Sequence, residues 1–352
     1  MQKTKIAGIG MYVPANVVTN NDLLKYMDTS DEWIQERTGI KERRYAHRTE
    51  ETTTTMGVEA AKIAIERAGI TPQDIDFIIF ATICPDYYFP GCGVLLQRAM
   101  KMKEIGALDV RNQCSGFVYA ISVADQFIKT GMYKNILVVG AEKHSFGLDF
   151  TTRGRNVSVI FGDGAGAVVV QPVDPSSGSG SEILSTHLHS DGEAAEVLAM
   201  YNPGTHANHW MPEKYADFDE AEIGQMFFSH AMIDNEQIYP NMDGQAVFKK
   251  AVEKFPEVIM EALNKNGLQT TDIKILIPHQ ANLRISQFVQ KKLRLNDDQV
   301  HNNIQKFGNT TAASIPIALC EAWEQGKIKE GDLVCLAAFG SGFTWGSALL
   351  KW

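Results

Sequence analysis

Gly69-Ile70-Thr71-Pro72-Gln73-Asp74-Ile75-Asp76-Phe77-Ile78-Ile79 aligns without a gap on Gly267-Leu268-Gln269-Thr270-Thr271-Asp272-Ile273-Lys274-Ile275-Leu276-Ile277. Each copy follows a helical pattern, over 56–68 and 247–266. Each runs into continuous apolar residues, the pattern of a parallel strand covered on both faces. A second pair keeps the same order. Phe161-Gly162-Asp163-Gly164 leads into Ala165 to Val170, and Phe339-Gly340-Ser341-Gly342 leads to Ala348-Leu349-Leu350. Between these landmarks, Cys114-Ser115-Gly116 and Asn309-Thr310-Thr311 fall at nearly the same offset and open small-residue apolar segments that read as buried helices. Duplication explains two matching pairs in one order better than chance similarity of two α/β units does.

The predicted organisation is an α/β chain of two βαβ-rich halves, 1–175 and 241–352, with 176–240 as an insertion or cap. Two such halves packed together bury helices between two sheets, giving five layers in the order α/β/α/β/α. The intervening stretch is polar, starts rich in Ser and Gly (Ser176 to Ser181), and contains His206, His209 and Trp210.

Composition narrows the function classes. The chain has 352 residues, 44% of them hydrophobic, enough for a sizeable core. Its net charge of −9 argues against a general nucleic-acid binder. The five cysteines (84, 92, 114, 320, 335) are odd in number and form no CxxC pair, so a reducing, cytoplasmic setting is expected rather than a disulfide framework. Met1-Gln2-Lys3-Thr4-Lys5 does not open a signal peptide, and no apolar run is long enough to predict a membrane span.

Three residues stand out as candidates for chemistry. Cys114 sits where a polar stretch from Asp109 gives way to an apolar helical pattern reaching about Thr130. A thiol at a helix N-terminus is favoured as thiolate by the helix dipole, and the free N–H groups of the first turn suit an oxyanion. A buried small hydrophobe is the alternative reading. His279, in Pro278-His279-Gln280-Ala281-Asn282, lies just past an apolar run, at the carboxyl end of a strand where α/β sheets bind ligands. A core histidine satisfied by a carbonyl remains open there. Asn309, in Phe307-Gly308-Asn309-Thr310-Thr311, reads equally as a helix cap. Gly162-Asp163-Gly164-Ala165-Gly166 is not a dinucleotide fingerprint, because a strand pattern rather than a helix follows it. His187, His189, His206 and His209 lack companions at metal-ligand spacing, so no metal is expected.

Taken together, several of these motifs resemble a known family. Cys114-Ser115-Gly116-Phe117, Pro278 to Asn282, Phe307 to Thr310 and Phe339 to Leu349 are similar to ketoacyl-acyl-carrier-protein synthase III. So are Ser30 to Ile34, Arg37 to Ile40 and Phe161 to Ala167. The resemblance covers about 1–170 and 240–352 and implies the duplicated thiolase-like fold. It departs in two places: the segment 172–241 is longer than in ordinary fatty-acid-priming members, and Gly340-Ser341-Gly342 replaces an all-glycine run.

The resemblance implies a homodimeric enzyme performing decarboxylative Claisen condensation of an acyl-CoA with a malonyl-acyl-carrier protein. Cys114, His279 and Asn309 form its catalytic set, and the backbone N–H groups of Cys114 and Gly340 its oxyanion hole. It places Trp33, Arg37, Arg155 and Asn282 at CoA. Lys249, Arg284, Lys291 and Lys292 fall in a patch for the acidic carrier protein, where an ordinary solvated face is the alternative. Phe89 and Phe248 belong to the acyl pocket, Phe89 across the dimer interface. CoA thioesters are substrates, and no cofactor is implied. Other readings are a non-decarboxylative condenser, for which the loop 84–93 offers only Asp86 as base, an acyl transfer to another acceptor, a cysteine hydrolase, and a non-catalytic carrier-binding protein.

Overall fold

The computed structural model describes residues 2–174, 176, 180–205, 228–235 and 237–352; His206, His209 and Trp210 lie outside the described residues. The first sheet contains β1 (Thr4–Tyr12), β2 (Phe77–Ala81), β3 (Gly106–Val110), β4 (Ile136–Glu142) and β5 (Gly164–Pro172), in the order β1-β5-β4-β2-β3. The second contains β6 (Glu182–Ser190), β7 (Ile275–Pro278), β8 (Leu333–Gly340) and β9 (Thr344–Lys351), in the order β6-β9-β8-β7. Strand senses match as well. The first two neighbouring pairs in each order are antiparallel and the third is parallel. The expected duplication is therefore present as repeated topology, with β3 as an extra strand of the first sheet.

Six helices matter for the site: α1 (Asp31–Thr38), α2 (Thr53–Arg67), α3 (Gly116–Lys129), α4 (Gly244–Lys265), α5 (Leu283–Leu293) and α6 (Ser314–Glu324). Phe117, Ile121, Ile315 and Leu319 of α3 and α6 share one core with Ile79 and Val138 of the first sheet and Ile277 and Leu336 of the second. On the outer face of the first sheet, Met56 and Ala60 of α2 pack on Phe80 and Val139. Phe255, Ile259, Ile285 and Val289 of α4 and α5 cover Leu276 and Cys335 of the second sheet. The five layers follow from the strand pattern. Adjacent residues such as Val138 and Val139 point to opposite faces, and both faces are covered, so apolar side chains run without alternation.

The duplication extends to the backbone. Gly69 and Gly267, just past α2 and α4, adopt φ of +68° and +66°, the left-handed conformation that closes a helix without a Cβ clash. Gln113 and Thr311, separated by the same number of residues, carry φ of +45° and +47° at the turns into α3 and α6.

One boundary differs from expectation. Residues 182–190, assigned to the insertion, form β6 and pair with β9 along their length. The second half therefore opens at 182, and the rest of the intervening stretch lies between β6 and α4. Its polar residues concealed it: Ser185, Thr186, His187 and His189 sit on an edge strand that is only partly covered. Beyond β6, Leu198–Ala199 pairs with Asn241–Met242 and draws the two ends of the intervening stretch together. No described helix is long and apolar enough to cross a membrane.

Candidate active site

Cys114 occupies the 3-10 turn Gln113–Ser115, between β3 and α3. It is buried, and across from it the turn between β8 and β9 approaches closely. A Cβ at Gly340 would lie 2.5 Å from Cys114 Cβ and 2.9 Å from Sγ, so only glycine allows the approach. The backbone N–H groups that favour a negative sulfur are those of Ser341 and Cys114. Gly340 makes room for the sulfur, and the Ser341 N–H reaches it beside that of Cys114.

Burial pushes the Cys114 thiol up to about 12, with the nearby Glu142 carboxylate adding to the shift. The helix-terminus expectation of a favoured thiolate is thus overturned in the resting site. Desolvation in a closed cavity outweighs the two N–H groups. Alkylation of Cys114 by iodoacetamide, followed by intact mass, is expected to accelerate roughly tenfold per unit between about pH 7 and pH 10, as the thiolate fraction grows. A plateau already present at neutral pH would contradict a raised thiol.

His279 follows β7 and keeps its backbone in the sheet, donating its N–H to Ala337 O at 2.8 Å. Its Nδ1 meets Ser314 Oγ at 2.6 Å, while its Nε2 is buried without a partner. Ser314 Oγ also receives the Gln280 N–H at 3.4 Å, which frees its own proton for Nδ1. With the Ser314 hydroxyl donating to Nδ1, the imidazole proton sits on Nε2, directed into the cavity. Burial lowers the His279 pKa to about 3, so the ring is neutral at physiological pH.

Asn309 accepts the Thr311 N–H on Oδ1 at 2.8 Å, which leaves the Nδ2 protons for the cavity. Its own N–H and C=O pair with Ile160 O and Gly162 N at 2.9 and 3.0 Å, tying it to the strand entrance of the first half. The glycine-rich run at 162–166 has a structural task, as its strand pattern implied. Asp163 accepts the N–H groups of Ala46 and Ser145, and β5 begins directly after it.

Cys114, His279, Asn309 and Gly340 line one cavity of about 120 Å³ with an apolar wall that includes Phe161, Leu198, Met242 and Phe248. Two larger hollows, about 890 and 460 Å³, open elsewhere and contain none of the three reactive residues. Leu198 and Met242 bring both ends of the stretch between β6 and α4 to the cavity wall. Ser341 fastens it there: its Oγ donates to Leu198 O, and its carbonyl accepts from Thr344 Oγ1 at 3.0 Å. Sequence reading flagged Ser341 as a departure but assigned it no contact, and it did not select Ser314.

Around the mouth, two guanidinium groups stand over the Trp33 ring, with Arg37 Cζ 4.6 Å and Arg155 Cζ 5.3 Å from its centre. Asn282 caps α5 through Arg284 N and donates Nδ2 to Arg37 O. Lys249, Arg284, Lys291 and Lys292 are all exposed on α4 and α5, and Arg284 Cζ stands 5.9 Å from the Phe248 ring centre. Phe89 is not in the cavity; it is 81% exposed, on a loop with the exposed Tyr87 and Tyr88. Asp86 is engaged by Thr52 Oγ1 and Thr54 N–H at the start of α2.

Comparison with known proteins agrees with this architecture. The family models for the 3-oxoacyl-[acyl-carrier-protein] synthase III C terminal region and for 3-oxoacyl-[acyl-carrier-protein] synthase III match residues 263–352 and 108–192, and the thiolase N-terminal domain matches 35–147. The beta-ketoacyl-[acyl-carrier-protein] synthase III of Aquifex aeolicus is 44% identical over 99% of both chains. The solved synthase III of Thermus thermophilus superposes with a TM-score of 0.86 at 37% identity over 99% of both chains. A priming beta-ketosynthase from a polyketide biosynthetic pathway does so at 0.84 and 30% identity, over 99% of this chain and 96% of the other.

Proposed function

The chain belongs to the 3-oxoacyl-[acyl-carrier-protein] synthase III family, and we propose that in it Cys114 carries the acyl group while His279 and Asn309 stabilise the enolate. As a condensing acyltransferase it joins an acyl-CoA starter to malonyl-acyl-carrier protein, in fatty-acid or related biosynthesis. The observation that carries the residue assignment is the convergence of three groups on one cavity: the Cys114 thiol, the unpartnered His279 Nε2 and the free end of the Asn309 amide.

In the first half-reaction, Cys114 Sγ attacks the acyl-CoA carbonyl, and CoA leaves with the thiol proton. The Ser341 and Cys114 N–H groups hold the intermediate oxyanion. In the second, malonyl-carrier protein loses carbon dioxide. The electron pair of the broken C–C bond moves into an enolate, whose oxygen accepts from His279 Nε2–H and Asn309 Nδ2–H. The enolate carbon attacks acyl-Cys114, the Cys114 thiolate departs, and solvent returns its proton. The scheme draws only on the two thioesters, with no further cofactor.

Trp33, Arg37, Arg155 and Asn282 would receive CoA at the mouth, the first three by stacking and charge. The exposed cations at 249, 284, 291 and 292 would meet the acidic carrier protein. A homodimer accounts for the apolar surface at Tyr87, Tyr88 and Phe89 beside the open edge of β3, where Leu108 is also exposed. In that arrangement Phe89 reaches the partner's acyl pocket, and sedimentation as a monomer would remove this role. A cytoplasmic location fits CoA and carrier-protein substrates. The non-decarboxylative reading is less favoured, because Asp86, its proposed base, is held at the α2 terminus.

The direct test is intact-protein mass spectrometry with a panel of acyl-CoAs. The expected result is one acyl mass gained, discharged by malonyl-carrier protein with release of carbon dioxide. Discharge without carbon dioxide would sink the decarboxylative mechanism.

A further inference from the structure

Cys84, Glu142 and His144 form a polar cluster behind the site and have no part in the scheme above. Sequence reading passed over it, although Glu142 and His144 close the apolar run of β4 in the same way that His279 follows β7. Their ligating atoms lie within 4.8 Å of one another, the reach of a metal site. The Glu142 oxygens, however, already accept from Thr82 Oγ1 and from the N–H groups of Ile83, Cys84 and Ala312. The contacts lead instead toward Asn309.

Thr311 has a left-handed backbone, φ +47°, an unfavourable conformation for a β-branched residue. That conformation aims the Thr311 N–H at Asn309 Oδ1. The Thr311 hydroxyl meets His144 Nε2 at 2.7 Å, with both residues buried. The His144 ring also lies against Phe161, with centres 4.6 Å apart, and Phe161 forms a β-bridge with Asn309. His144 thus touches both the residue that holds the Asn309 side chain and the residue paired opposite its backbone, whose neighbours Ile160 and Gly162 make the hydrogen bonds. Glu142 secures the next turn through Ala312 N–H, at 3.4 Å.

We propose that His144, with Glu142 holding the adjacent Ala312 N–H, is a positioning residue that fixes the Asn309 amide by holding Thr311 in its left-handed conformation. The inference rests on Asn309 acting in the malonyl half-reaction. Two residues from the end of β4 in the first half thereby set the geometry of a donor in the second. Burial keeps the imidazole neutral, with its pKa lowered to about 3, so the contact persists across the physiological range.

The half-reactions separate this role from a general structural one. His144→Ala is expected to acylate Cys114 within about twofold of the native rate, while kcat for condensation falls roughly 10- to 100-fold with little change in KM for malonyl-carrier protein. His144→Gln, which returns a nitrogen near the Nε2 position, restores most of the loss. Thr311→Gly tolerates φ > 0 without a prop, so His144→Ala costs less in that background than alone. Should His144→Ala fail to fold, Thr311→Val removes the same contact while keeping the side-chain volume. A parallel fall in both half-reactions, or native condensation in His144→Ala or Thr311→Val, overturns the proposal. Asn309→Ala is measured beside them. If it spares condensation, the role of Asn309 itself is wrong; if it impairs condensation while His144→Ala does not, only the positioning role falls.

Discussion

Cys114→Ala is expected to accept no acyl group from any acyl-CoA and to lose condensation by roughly 10³- to 10⁶-fold, the scale seen when a covalent nucleophile is removed. The other four cysteines give no substitute. Burial raises all five thiols alike, and what sets Cys114 apart is place: it alone lines the cavity with His279 and Asn309. The variant should fold, because the change removes one sulfur from a buried site, at a cost of about 1 kcal/mol. It also leaves both enolate donors in place. Malonyl-carrier protein should therefore still release carbon dioxide slowly, with the enolate captured by a proton instead of an acyl group. Isotope-labelled carbon dioxide release and intact mass report the two outcomes separately. An acyl adduct persisting on the alanine variant would place the nucleophile elsewhere.

His279→Ala is expected to show the complementary pattern. Acyl-Cys114 should form and accumulate, because no step of acylation uses the imidazole, while condensation falls about 10²- to 10³-fold, or roughly 3–4 kcal/mol of lost oxyanion stabilisation. The backbone N–H of His279 stays bonded to Ala337 O, so β7 keeps its register. The pH profile adds a second check. The native ring protonates only near pH 3, so from about pH 5 upward the malonyl step should show no inflection from His279. A rate that rises between about pH 5 and pH 7 would instead show a histidine titrating in its ordinary range and would contradict the buried, neutral ring. Equal loss of acylation and condensation in His279→Ala would remove the donor role.

The repeat at 69–79 and 267–277 was legible because each copy needs the same local instructions: an amphipathic helix, a left-handed glycine and an uninterrupted apolar strand. Cys114 and His279 were legible as candidates because strand ends facing helices carry the ligands of α/β folds. Residues 182–190 escaped because a partly covered edge strand lacks the apolar run that marks its central neighbours. Ser341 stood out only as a missing glycine. Nothing near it in the sequence names Leu198, its partner, and the same holds for His144 and Thr311.

The sequence by itself determined the central apolar strands with their helices, the duplicated order and the chemical kinds present, because periodicity and glycine placement act over a few neighbouring residues. Only the tertiary structure decided which backbone N–H faces the sulfur, which end of the Asn309 amide is free, and that the resting thiol is disfavoured as an anion. These properties depend on how the two halves close on each other. Desolvation and hydrogen-bond direction are set by atoms far apart in the chain that share one dry cavity, and no local pattern encodes their distance.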